Sequence, residues 1–276
     1  MELTVAEQLL YSTTKLTSCK NGIPISTGTG FFMRFPFKDE TSIIVIITNK
    51  HVLYDATEVI VTLHIASNDK PSGKFTTYKL ENLRQLSIFH PDDNVDLCAF
   101  MIGPTLNQAF NSGMKIFFAP LESNLIPTGD DWEYFDAIEE VIMIGCPNGI
   151  YDEANNLPIM RRGITASALT KKYNGMNEFM VDIACFPGSS GSPIFLYDRN
   201  GYFDRKKNSY MLGSSRLKLV GILYSGPLVT NDGQIVLGRA PRITVDSMMH
   251  LGNALRSTEI LKIQEEIDKI TRKNEI

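Results

Sequence analysis

A serine, a histidine and an aspartate stand at three points of this chain in settings that suit nucleophilic chemistry. Ser190 lies in Phe186-Pro187-Gly188-Ser189-Ser190-Gly191-Ser192-Pro193, a turn of small residues between two apolar runs. His51 falls in Ile47-Thr48-Asn49-Lys50-His51-Val52-Leu53, where a strand runs out, and Asp96 leads Asn94-Val95-Asp96-Leu97-Cys98-Ala99 into another apolar run. A serine hydroxyl is a weak nucleophile unless an imidazole takes its proton, and a carboxylate must hold that imidazole in one tautomer. Glycines around the serine let the backbone expose it and aim amide N–H groups at a developing oxyanion. The chemistry that needs this set is acyl transfer. Each piece alone is weak. A Gly-x-Ser-Gly string arises by chance in about one chain of this length in ten, a lone histidine at a strand end is more often structural, and an aspartate beside a turn usually caps it. Only the combination, in the order His51, Asp96, Ser190, is specific.

The elements that must position these residues read as short strands punctuated by turns. Strands are predicted at Ile43–Thr48, Glu58–Ile65, Asp96–Ile102, Glu139–Gly145, Glu178–Ala184, Pro193–Leu196, Leu219–Tyr224 and Gln234–Leu237, from β-branched enrichment and alternation. Turn signals are Pro71-Ser72-Gly73, Pro91-Asp92-Asp93-Asn94, Pro147-Asn148-Gly149 and Asn231-Asp232-Gly233, the last read as a hairpin between two apolar runs. From Val245 onwards Pro and Gly nearly vanish, and Ser257–Lys273 is helical in pattern, with Ile260, Ile263, Ile267 and Ile270 on one stripe. That helix either packs on the strand-rich body or forms a short seam with a regulatory partner or a second copy.

Composition bounds the function. The chain has 276 residues, 43% of them hydrophobic, so it can bury a core. Its 27 basic and 31 acidic side chains leave a formal charge of −4, which argues against a dedicated nucleic-acid or anionic-membrane binder. The longest aliphatic stretch, Ile43 to Ile47, is far short of the ~20 residues of a membrane span. No basic region followed by an apolar one opens the sequence, so a cytoplasmic location is expected. Cys19, Cys98, Cys146 and Cys185 are widely spaced, with no Cys-x-x-Cys pair. They are expected to be free, buried and without zinc. Neither a metal nor a cofactor is expected.

The segments ITNKHV, NVDLCAF and PGSSGSP resemble the His, Asp and Ser motifs of trypsin/chymotrypsin-type serine peptidases, closest to the bacterial HtrA-like branch. Gly28-Thr29-Gly30-Phe31-Phe32 resembles the family's Gly-rich strand entry before the histidine. Gly145-Cys146-Pro147-Asn148-Gly149 resembles its G-x-P-x-G turn, and Val220 to Gly226 its substrate-pairing strand. The resemblance covers about residues 25 to 245. It implies an all-β fold of two six-stranded antiparallel β-barrels with the site between them, to which the isoleucine pattern adds a C-terminal helix. Residues 1–24 would be an N-terminal helix/strand segment, 25–120 the first barrel, 121–245 the second and 246–276 a helical tail. It implies Ser190 as nucleophile, His51 as base and Asp96 as its partner, with the N–H groups of Gly188 and Ser190 as oxyanion hole. Ala184 would form the pocket base, and Tyr224, Ser225 and Gly226 its wall and substrate-pairing edge. With no acidic base, the pocket is expected to take a small or medium apolar side chain of a protein substrate.

Departures from the family pattern matter. Ser189 replaces the aspartate that in secreted relatives pairs with a newly cut N-terminus, so activation by N-terminal cleavage is not expected. Ser192 replaces a second glycine, and no PDZ module is expected after residue 245. Cys185 and Cys146 are weaker nucleophile candidates than Ser190. His64, His90 and His250 read as structural, the Gly28-Thr29-Gly30 string lacks the Lys-Ser/Thr of a phosphate loop, and Arg205-Lys206-Lys207 reads as a solvated loop. The alternative to an active endopeptidase is a catalytically silent copy of the fold used as a binding or signalling module.

Overall fold

Alternation of apolar residues makes the N-terminal half a sheet: Val59, Val61 and Leu63 are buried while Ile60, Thr62 and His64 between them are only partly so. The computed structural model describes residues 2–37, 41–234 and 242–273. After helix α1 (Val5–Tyr11), nine strands follow: β1 (Thr13–Lys20), β2 (Ile23–Pro36), β3 (Ser42–Thr48), β4 (Glu58–Ser67), β5 (Lys70–Leu80), β6 (Ser87–Phe89), β7 (Cys98–Met101), β8 (Ile116–Phe117) and β9 (Leu121–Glu122). They form one sheet in the order β5-β4-β1-β2-β3-β7-β6, with β8 on β4 and β9 on β2. Short helices α2 (Leu83–Leu86) and α3 (Gly103–Asn111) lie on its connections, and α4 (Gly129–Tyr134) leads into the second half.

The second half is a closed six-stranded barrel. Its strands run β10 (Glu140–Gly145), β11 (Ile159–Thr165), β12 (Glu178–Asp182), then β19 (Leu251–Arg256), β16 (Arg216–Ser225) and β13 (Pro193–Asp198) around the ring. Two hairpins, β14 (Gly201–Asp204) with β15 (Ser209–Leu212) and β17 (Leu228–Gln234) with β18 (Arg242–Met248), project from it. Helix α5 (Glu259–Lys273) ends the described chain.

Several expectations need correction. The first unit is a nine-stranded sheet: seven strands follow one another along its path, and β8 and β9 add short pairings to β4 and β2. It also starts before residue 25, since β1 sits between β4 and β2. The stretch 246–276 is not all helix. Leu251–Arg256 pairs with both β12 and β16 and closes the second barrel, burying Gly252, Ala254, Leu255 and Arg256. Pro71, Ser72 and Gly73 lie inside β5; the reversal is made by Asn68 and Asp69, both left-handed (φ 51° and 59°), the conformation a two-residue hairpin requires. Asn231, Asp232 and Gly233 are likewise paired, to Val245, Thr244 and Ile243. Of the strand predicted at Gln234–Leu237, all but Gln234 lies outside the described residues.

Sheet and barrel share one apolar core. Phe31, Val45 and Ile47 of the sheet, Ile144, Phe195 and Ile222 of the barrel, and Ile260, Ile263 and Ile267 of α5 belong to a single buried cluster. Each such side chain removed from water contributes about 1.5–3 kcal/mol. The seam between the halves is therefore filled by packed side chains. The α5 stripe faces this core, with Ile270 left partly exposed.

Candidate active site

His51 is placed by the end of β3. The Thr48 hydroxyl donates to the Thr29 carbonyl (2.8 Å), and the chain then passes through buried Asn49 into a single 3₁₀ turn, Lys50–Leu53. Gly28 lets this turn approach β2, since a Cβ there would lie 2.5 Å from the Val52 side chain. Two bonds bind the turn to the Asp96 loop: Asn49 Nδ2 donates to the Asp96 carbonyl (2.7 Å) and Lys50 Nζ to that of Asp92 (3.0 Å). The Asp96 carboxylate then accepts twice from His51, from its backbone N–H at 3.1 Å and from Nδ1 at 2.5 Å. An ionised carboxylate only accepts, so this bond needs the proton on Nδ1, and in the neutral imidazole Nε2 is then the basic nitrogen.

Ser190 sits on a turn whose glycines are irreplaceable. Gly188 and Gly191 have φ of 82° and 88°, and a Cβ on Gly191 would lie 2.0 Å from the Thr29 carbonyl oxygen. The Pro187 carbonyl accepts from Asn148 N–H (2.5 Å) and the Ser189 carbonyl from Ser192 N–H (3.0 Å). In a trans peptide C=O and N–H point opposite ways, so the amides of Gly188 and Ser190 face away from these bonds. Among the described residues, neither amide has a protein acceptor. The Ser190 hydroxyl donates to the Tyr224 carbonyl at 3.4 Å, and no hydrogen bond joins it to His51.

In the sequence Thr29 stands out only as part of a glycine-rich string, yet it is the hub of the site. Fully buried, it donates its hydroxyl to the Gly188 carbonyl (2.9 Å), accepts from Cys146 N–H (3.0 Å), and donates its own N–H to the Ser190 carbonyl (2.8 Å). Its flanking glycines were the only signal in the sequence. Arg161 was missed altogether. Its guanidinium bonds to the Ala184 carbonyl and to Ser189 Oγ.

The expected pocket residues lie beside this turn. Ala184 is half-buried, with its carbonyl held by Arg161. Tyr224 turns its hydroxyl to Glu178 (2.8 Å), so its carbonyl rather than its ring meets Ser190; burial, then this bond, pushes its phenol up to about 12. Ser225 Oγ accepts from Asn253 (3.1 Å), and a Cβ on Gly226 would lie 2.9 Å from the Leu251 carbonyl.

Residues 28–202 match the family model of the trypsin-like peptidase domain. The chain belongs to that family. No curated protein matches it. Among solved structures, this trypsin-like peptidase domain is similar to the inactive form of a serine-to-alanine mutant of Rv3671c from M. tuberculosis H37Rv, at 14% identity and TM-score 0.46, over 96% of this chain and 90% of that one. It is also similar to a cysteine-to-alanine mutant of the Tobacco Etch Virus protease, at 14% identity and TM-score 0.44, over 81% and 71%.

Other groups in the peptidase domain have different roles. Burial pushes the thiols of Cys185 and Cys146 up to about 11 and about 12, which makes both poor nucleophiles at neutral pH. His64 stacks edge-on with Tyr11 and bonds to the Asn156 carbonyl, and burial lowers its pKa. His90 is buried against Glu259 of α5 (2.8 Å), while exposed His250 touches the Phe186 ring. A cleft of about 1050 Å³ flanks His51 and Asp96 on the sheet side, lined also by Tyr54, Arg84 and Phe89. Among the described residues no cluster of His, Cys, Asp or Glu could hold a metal, and no helix is long and apolar enough to cross a membrane.

Proposed function

We propose that this chain is a serine endopeptidase that hydrolyses protein substrates through an acyl-enzyme on Ser190. The observation that carries this reading is the double hold of Asp96 on His51, which fixes the imidazole with Nε2 as its basic atom. In the reaction Ser190 Oγ leaves the Tyr224 carbonyl, gives its proton to His51 Nε2 and attacks the scissile carbonyl. The amides of Gly188 and Ser190 take up the negative charge of the tetrahedral intermediate. His51 then protonates the leaving amine, and water releases the acyl group by the same steps in reverse. This chemistry runs without metal or cofactor. Ala184, Tyr224, Ser225 and Gly226 hold the substrate, with a small or medium apolar side chain before the cut. The four unpaired cysteines support a reducing, cytoplasmic setting.

The resting hydroxyl bond from Ser190 to Tyr224 favours one second reading, a silent copy of the fold used for binding. Hydrogen bonds between catalytic groups commonly form or tighten only in the substrate complex, so the two readings differ in what substrate or a regulatory partner can do: in the first, either one turns Ser190 onto His51. The test is cleavage of an unfolded protein by wild type, Ser190→Ala and His51→Ala. Each substitution is expected to lower turnover by about 10⁶, as in another serine protease. Wild type without cleavage, or Ser190→Ala cleaving equally well, overturns the proposal.

A further inference from the structure

Strand β11 carries two adjacent arginines with opposite fates. Arg162 points outward and pairs with Glu140 on the surface, as an exposed strand residue would. Arg161, opposite Met143 of β10, points the other way. Its Nη1 donates to the Ala184 carbonyl and to Ser189 Oγ (3.1 Å), which lie at the two ends of the segment that carries Gly188. Ser189 Oγ also accepts from Phe186 N–H at 3.4 Å, so one guanidinium and one hydroxyl cross-link the loop internally.

No carboxylate balances this cation: among the described residues no ion pair includes Arg161, and the titratable groups nearest it are the buried thiols of Cys146 and Cys185, which keep their protons at neutral pH. Its Nε and Nη2 are shielded from solvent and have no partner. A guanidinium aimed into an open substrate pocket would leave those atoms accessible, so it sits behind the loop and not in the pocket. Burying an unpaired charge is expensive, and an apolar side chain of similar length would fill the space without that penalty. What the apolar chain would lack is the pair of bonds to the loop, one of them to Ser189, the residue between Gly188 and Ser190.

We propose that Arg161 is a positioning residue: it braces the Ala184–Ser190 loop from inside the barrel, so that the Gly188 and Ser190 amides are held ready for the oxyanion. This rests on the peptidase reading above. The brace acts mainly on the transition state, because the guanidinium touches the loop and not the substrate; its hold on the Ala184 carbonyl, at the expected pocket base, is the part that KM reads.

The test compares Arg161→Met, Arg161→Lys and Ser189→Ala with wild type and Ser190→Ala on a peptide substrate, recording kcat, KM and thermal midpoint. Arg161→Met is expected to keep its thermal midpoint while kcat falls about 10²-fold, near the effect of losing one oxyanion donor, with the smaller change in KM. Ser189→Ala, which removes one of the two bonds, is expected to lose about 10-fold in kcat, and Arg161→Lys to recover part of the loss. If Arg161→Met fails to fold, the kcat of Ser189→Ala decides. Full kcat in Arg161→Met or in Ser189→Ala overturns the brace, and so does a changed preference for the residue before the cut at unchanged kcat. Wild type as inactive as Ser190→Ala instead overturns the peptidase reading itself.

Discussion

The Thr29 hydroxyl donates to the Gly188 carbonyl at 2.9 Å, joining positions 159 residues apart in the chain. The same oxygen accepts from Cys146 N–H, so one side chain of the sheet holds both the nucleophile turn and the 145–149 turn of the barrel. Thr29→Val keeps the shape and removes both bonds. Leaving two buried backbone groups unpaired is expected to cost about 2–4 kcal/mol in urea unfolding. Stability unchanged by this substitution would show that the link is incidental.

Gly145 makes the neighbouring contact feasible. A Cβ there would lie 2.0 Å from Ser192 Oγ and 2.8 Å from Thr29 Oγ1. Gly145→Ala is expected to destabilise by about 1–3 kcal/mol. Adding Ser192→Gly should return part of that loss, since it removes the nearer clash. Strictly additive effects in the double variant would argue against direct contact.

Asp96→Asn should leave the fold intact and disable the imidazole. An amide can donate to His51 Nδ1 and so favours the tautomer with its proton on Nε2, where it cannot act as base. Turnover is expected to fall about 10⁴-fold, with thermal stability changed little. A variant with more than a tenth of wild-type turnover would remove Asp96 from the mechanism.

Stability should fail on the alkaline side. Burial raises the thiols of Cys98, Cys146 and Cys185 above their ordinary 9.0 and the Tyr224 phenol above its ordinary 10.0. The folded state thus keeps protons that the unfolded chain releases. The stabilisation is complete below pH about 9 and is lost as pH rises through the folded values towards about 12. The thermal midpoint should therefore decline from pH 9 to 11, and a flat or rising profile there would contradict the burial of these groups.

Much of the site was legible because acyl transfer needs few residue types in a recognisable setting: His51 at a strand end, Asp96 beside an apolar run, Ser190 between glycines. The strands with strong alternation, such as Glu58–Ser67, were legible for the same kind of reason. What stayed hidden depends on contacts through space. Arg161 and Arg162 look alike in sequence, and only the side of the strand separates them. Leu251–Arg256 is six residues long, too short for a period of two to stand out beside the long helical stripe that follows. In the sequence the proline and glycine of Pro71-Ser72-Gly73 are a stronger turn signal than Asn68-Asp69, the pair that adopts the left-handed conformation and makes the reversal after β4.

The central claim is that Ser190 is a nucleophile activated by His51. It is tested most directly by mass spectrometry of the protein after reaction with a fluorophosphonate probe. One adduct mapped to Ser190 in wild type, lost in Ser190→Ala and formed far more slowly in His51→Ala, is the result predicted. A wild type that gains no adduct, with or without an unfolded substrate present, would contradict it.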